Sequence, residues 1–231
     1  MALARWKDLC IDANDPVLVG EFWAGVLGLD GEIDDVGEMV LRGERPEQTI
    51  WINRVPEPKT VKHRLHLDIE VTSLDPLIER GATVLRPAGE EDHWTVMVDP
   101  EGGEFCAFVR AEIPTDAPAR LYELELDCAS PAESQALARW WADVLGATVH
   151  DDGRDFWWME DVPGLPCDTW DFCPVPEPKT VKNRLHWDIV CDDRDALVER
   201  GATVLSPSDD EIRCTLMADP AGNEFCVFGS S

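Results

Sequence analysis

VPEPKTVKHRLHLDIE, Val55 to Glu70, returns as VPEPKTVKNRLHWDIV, Val175 to Val190. Two further blocks repeat at the same separation of 120 positions: ERGATVL, at Glu79 to Leu85 and Glu199 to Leu205, and DPEGGEF at Asp99 against DPAGNEF at Asp219. A period that long exceeds the roughly 20–50 residues of solenoid repeats and matches a whole small domain. The chain is a tandem duplication, so each feature of one copy can be checked in the other.

Within the repeated stretch, Leu65, Leu67, Ile69 and Val71 alternate with Arg64, His66, Asp68 and Glu70. A period of two predicts a strand with one apolar face. Upstream, Trp6 to Asp12 reads as a strand. Asp15-Pro16 opens a helix on which Val19, Phe22, Trp23, Val26 and Leu27 share a face, and Gly28 closes it. Short strands are expected at Ile33 to Val36, Met39 to Arg42 and Thr49 to Asn53. Downstream, a helix over Leu74 to Arg80 ends at Gly81. Strands at Thr83 to Arg86, Trp94 to Val98 and Glu104 to Val109 follow. Copy two repeats this order, from a strand at Leu121 to Asp127 and a helix from Ser130-Pro131 to Gly146. RAEIPTDAPAR, Arg110 to Arg120, reads as the linker.

The pattern predicts an α+β fold of four βαβββ modules in two pairs, with tandem domains over 1–111 and 119–231. The sheet face turned away from each helix lacks cover, so two modules side by side enclose a trough. His66 and Asp68, and their copies His186 and Asp188, face it by parity, and Glu104 shares a face with Cys106 and Phe108. The sequence leaves open whether the domains pair within the chain or by swapping between chains, and whether the protein is a monomer or a homodimer.

The net charge is −27, from 47 acidic and 20 basic residues. Phosphate binding needs clustered Lys and Arg, so no nucleic-acid partner and no anionic membrane partner are expected. The excess acid suits a solubilising surface or attraction of cationic ligands. MALARWKDLC lacks a long apolar run, which predicts a cytoplasmic location. Eight cysteines include no CxxC pair, and Cys106 and Cys226 read as small buried hydrophobes inside strands.

With paired βαβββ modules, the FWAGVLG helix, RLHLD and DPEGGEF in view, the chain resembles the vicinal oxygen chelate superfamily. It is most similar to its glyoxalase-like and bleomycin-resistance-like domains. The resemblance covers nearly all of each copy and implies the glyoxalase/bleomycin resistance/dioxygenase fold. Relatives include metal-dependent lyases, isomerases and dioxygenases, and metal-free proteins that sequester antibiotics, so fold alone does not fix the activity. Metal-using members carry one ligand per strand. His66 and His186, and Glu104 and Glu224, occupy two of the four places. Asp8 falls opposite Glu123, and Trp51 opposite Asp171.

Two readings follow. In one, the protein binds a small aromatic or cationic molecule without chemistry, as an antibiotic resistance protein would, and needs no cofactor. Its clefts are lined by Trp51, His66, Asp68 and Glu104 in copy one and by Trp158, Asp171, His186, Asp188 and Glu224 in copy two. Aromatic walls hold such guests by stacking and cation–π contact. In the other, copy two is a lyase, isomerase or dioxygenase holding Zn, Ni, Fe or Mn through His186, Glu224 and Asp171, with Glu123 or Glu125 as a further ligand. If no metal binds, His66 and Glu104 are expected to pair with each other. Four of the five lysines and both RLH arginines sit in the repeated stretch (Lys59, Lys62, Arg64 and their copies). They are expected to pair with acidic groups across the module junction, or to receive an anion. Trp23, Trp141 and Trp187 are expected in the core.

Overall fold

The computed structural model describes residues 2–90, 92–208 and 214–230. The first module comprises β1 (Arg5–Ala13), α1 (Pro16–Leu27), β2 (Asp30–Ile33), β3 (Met39–Arg42) and β4 (Ile50–Arg54). The second comprises β5 (Leu65–Val71), α2 (Asp75–Glu79), β6 (Thr83–Arg86), β7 (Thr95–Val98) and β8 (Glu104–Val109). The third runs through β9 (Ala119–Cys128), α3 (Pro131–Leu145), β10 (Thr148–Asp151), β11 (Trp157–Glu160) and β12 (Thr169–Pro174). The fourth has β13 (Leu185–Val190), α4 (Arg194–Glu199), β14 (Thr203–Ser206), β15 (Thr215–Ala218) and β16 (Glu224–Phe228).

Local chemistry sets the helix ends. The Asp15 carboxylate accepts from Leu18 N, and Ser130 Oγ accepts from Glu133 N, each satisfying an end N–H. Gly28 and Gly146 close α1 and α3 at φ 68° and 74°, where a side chain would be strained. One strand departs from expectation. Ile33 to Val36 is not a strand, because the Asp34 carboxylate accepts from Val36 N and Glu38 N and turns the chain there. The strand lies just before it, at β2.

The modules exchange between the copies. One eight-stranded sheet runs β14-β15-β16-β13-β1-β4-β3-β2, and the other runs β10-β11-β12-β9-β5-β8-β7-β6. The first sheet therefore joins module one to module four, and the second joins module two to module three. At the seams, β1 pairs antiparallel with β13 and β9 with β5. The sequence copies are thus not the sheets. The two VPEPKTVK segments are the crossovers, carrying β4 to β5 and β12 to β13.

The helix-facing side of both sheets forms one continuous apolar cluster. Trp141 of α3 lies 5.3 Å from Trp170, 5.2 Å from Trp187 and 5.0 Å from Phe225, ring centre to ring centre, and its indole N–H donates to Asp219. Trp6 of the first sheet meets Trp170 of the second edge-on at 5.8 Å. Trp23, Trp141 and Trp187 are buried, as their spacing requires. Among the described residues no helix is long and apolar enough to cross a membrane.

Candidate functional site

On the side of each sheet turned from the apolar cluster, where the sequence predicts a trough, the strands set polar side chains next to one another. Strand register brings one row of side chains across the second sheet. His66 lies opposite Glu125, Glu125 beside Asp171, and Asp171 beside Trp158. The adjacent row sets Asp68 against Glu123 on one side and Cys106 on the other. His66 Nδ1 is 3.5 Å from Glu125 Oε1, while its Nε2 contacts the His63 carbonyl at 2.8 Å. His66, Glu125 and Asp127 each turn one ligand-type atom into a space where these atoms lie within 4.8 Å of one another.

This trough is crowded with acid. Asp68, Asp127 and Asp171 are buried, and each has a carboxylate oxygen without a hydrogen-bond partner among the described residues. Burial, and then the neighbouring Glu123, push Asp171 up to about 9. Burial raises Asp68 well above the usual carboxylate range, with Glu125, Glu123 and Asp171 adding to the rise. Burial also raises Glu123. Glu125 goes the other way. Burial works against its charged form, but the hydrogen bond and charge of His66 outweigh this and hold it below its usual value.

The first sheet provides the internal comparison. Its seam sets Asp8 against Asp188 and Cys10 against His186, in the places of Glu123, Asp68, Glu125 and His66. Cys10, His186 and Asp188 form a second close group, with the Cys10 thiol donating to Asp188 at 3.5 Å. Here, however, the chain supplies its own cation. Lys7 pairs with Asp8, stands 3.9 Å from Asp188 and lies over the Phe228 ring at 4.3 Å. The indole N–H of Trp51 donates to Asp8 at 3.0 Å.

Lys7 is the extra residue of a bulge in β1, between the Trp6–Ile189 and Asp8–Asp188 pairs. The matching bulge of β9 holds Tyr122, between the Leu121–Ile69 and Glu123–Asp68 pairs. A bulge re-aims its side chain. Lys7 meets the acids and Phe228, whereas Tyr122 stacks edge-on to Phe108 at 5.7 Å. The guanidinium groups near Tyr122 belong to Arg110, bound to Glu70, and Arg120, shared by Glu70 and Asp168. Asp68, Glu123 and Asp171 of the second trough are thus left without a counterpart of Lys7, and Asp127 alone is held by a lysine, Lys62.

The expected clefts are re-sorted by the exchange. Trp51 lies with His186, Asp188 and Glu224 in the first sheet. His66, Asp68 and Glu104 lie with Trp158 and Asp171 in the second. The trio His186, Glu224 and Asp171 is not brought together, because β12 sits in the other sheet from β13 and β16. The expected His66–Glu104 pair does not form either. Glu104 accepts from Lys59 at 2.7 Å and from His63 N at 3.1 Å, and Lys179 holds Glu224 in the same way. Trp158 leans on His150 and donates to Glu160. Cys106 and Cys226 face the troughs rather than the apolar core, beside Asp68 and Asp188.

The lysines do pair across the junction, as the repeat predicts. Lys62 of copy one binds Asp127 of copy two at 2.9 Å, and Lys182 of copy two binds Asp12 of copy one. Arg64 and Arg184 each donate to the backbone of the opposite crossover, at Glu177 and Glu57. Sequence reasoning missed Lys7, Tyr122 and Asp127, and it grouped Glu125 with His186 rather than with His66. The register of the two seam strands was the missing signal.

Comparison with known proteins agrees with this geometry. A model of the glyoxalase-like domain matches twice, over residues 8–108 and 123–228. Glyoxalase I from Zea mays superposes with a TM-score of 0.67 at 12% identity, covering 97% of this chain and 92% of that one. A putative dioxygenase from Bacillus subtilis gives 0.65 at 15% identity, covering 99% and 86%. No curated protein matches the chain. At these identities the superpositions speak for the fold alone, whereas the two matches to the family model span most of the sequence: the chain belongs to the glyoxalase-like domain family.

Proposed function

We propose that the trough of the second sheet is a divalent-cation site and works as a glyoxalase-like enzyme centre on a small molecule. The reading rests on the Lys7/Tyr122 difference. Two equivalent acidic troughs arise from one duplication. One has Lys7 beside its acids, and the other has Tyr122 in that place and keeps buried carboxylate oxygens without partners among the described residues. Buried charge wants a counter-charge. His66 and Glu125 are the centre of the donor set, with Asp127 on one side and Asp171 on the other, and mixed nitrogen and oxygen donors suit Zn, Ni, Fe or Mn.

A bound divalent ion would polarise the oxygens of a substrate carrying a carbonyl or diol. Glu123, kept protonated more easily by burial, is the group to exchange a proton with that substrate. Phe108 and Tyr122, with Trp94 packed behind Phe108, offer an aromatic wall at the end of the trough. The first trough, neutralised from within and fronted by half-buried Trp51, suits ligand capture without chemistry.

Calorimetric titration with Zn²⁺, Ni²⁺ and Mn²⁺ tests the proposal. One ion is expected per chain, with at least about tenfold weaker binding in His66→Ala and Asp171→Asn and unchanged binding in His186→Ala. Binding that ignores His66 and Asp171, or no binding at all, would sink it.

A further inference from the structure

The troughs do not account for the most repeated segment of the chain. Between the two VPEPKTVK crossovers lies a cavity of about 770 Å³. Small-molecule sites span roughly 300–1,000 Å³. Its lining comes in equivalent pairs, among them Pro58 and Pro178, Val61 and Val181, and Lys62 and Lys182. It sits where both copies meet, so there is one such cavity per chain, whereas there are two troughs.

The lining has the character of a ligand site. Val61 and Val181 remain 41% and 46% exposed, an apolar surface that folding leaves wet. An ammonium carries three donors. Lys62 spends one on Asp127, and Lys182 spends its own on Asp12 and the Asn183 carbonyl. Each lysine therefore keeps at least one for a guest, and their side chains are 47% and 49% exposed. His63 lines the same cavity, is only 8% exposed, and has no partner for either ring nitrogen among the described residues. The buried Arg64 Nε, also of the lining, is unpartnered too.

The open N–H donors, rather than the charge balance, set the sign of the guest. The lining holds Lys59, Lys62, Arg64, Lys182 and Arg184 against Asp12, Glu57, Asp127 and Glu177. The chain as a whole carries 20 basic residues against 47 acidic. The cavity lining is thus close to charge balance in a chain that is strongly acidic as a whole, and the donors it leaves open are those of Lys62, Lys182 and Arg64.

We propose that the cavity binds one small amphipathic organic anion per chain. Its apolar body lies between Val61 and Val181, and its acidic group is received by Lys62 or Lys182. Asp127 lies on the border of this cavity and the cation trough, but none of Val61, Val181 and Lys182 belongs to the trough.

The probe is 1-anilinonaphthalene-8-sulfonate, an aromatic monoanion, titrated by calorimetry and fluorescence into the full chain. Its neutral relative N-phenyl-1-naphthylamine is the control. One saturable site per chain is expected for the anion, with binding of the neutral compound at least about tenfold weaker. Val61→Trp with Val181→Trp fills the cavity and leaves the ion pairs alone, and it should remove the site. Lys62→Gln with Lys182→Gln should weaken the anion at least about fivefold and leave the neutral compound unchanged. Asp171→Asn, on the side of the trough away from the cavity, should change neither. The proposal is overturned if the anion fails to bind, if the filled variant of unchanged circular dichroism still binds it, or if the neutral compound binds equally well.

Discussion

Asp171 shows how burial beside a like charge can change what a carboxylate does. An aspartate in an unfolded chain titrates near 3.9, but in the fold burial and Glu123 carry Asp171 to about 9. Between those values the folded protein holds a proton that the unfolded chain has shed. Without a cation, stability falls as pH rises through this window, and the loss is complete above about 9. Asp171→Asn removes the charge at stake. Its melting temperature should exceed that of the parent at pH 9 and show little gain at pH 4, by calorimetry in metal-free buffer. His186 acts on the other side. Burial lowers it to about 4, so its contribution is present above the ordinary histidine value and lost as pH falls through 4. The alternation in RLHLD assigned His66 and Asp68 to the trough before any coordinates. It gave no hint of Glu125, because a lone strand does not announce its neighbour.

At the scale of elements, the strand period of two was legible and its interruptions were not. Leu65, Leu67, Ile69 and Val71 fall on the helix side as read. In β1 and β9, however, one residue is inserted into the pairing, and the parity of everything beyond shifts by one. WKDLCID and LYELELD carry no glycine to mark the bulge, so Lys7 and Tyr122 read as ordinary strand positions. The two bulges offer a direct test of the proposed function. Tyr122→Lys should import the internal cation of the first trough and weaken Zn²⁺ binding at least about tenfold, with secondary structure unchanged by circular dichroism. Full-strength binding in that variant would separate the bulge from the site.

At the scale of the molecule, the duplication was plain and the exchange was hidden. The strands that compete for β1, LHLDI of β5 and LHWDI of β13, are nearly the same, so local sequence cannot choose between them. The linker decides. Val71 is paired with Val109 on one side and with Ala119 on the other, so the short segment from β8 to β9 only has to step across β5 within one sheet. Crossed ion pairs, Lys62 with Asp127 and Lys182 with Asp12, and the Trp6–Trp170 contact then tie the copies together. A trough built this way draws His66 from one copy and Glu125 and Asp171 from the other. The direct test is anomalous diffraction at the zinc edge from a crystal grown with Zn²⁺. One peak is expected, bounded by His66 and Glu125 in the second sheet. A peak beside Cys10 and His186 instead, or none in either trough, would contradict the account.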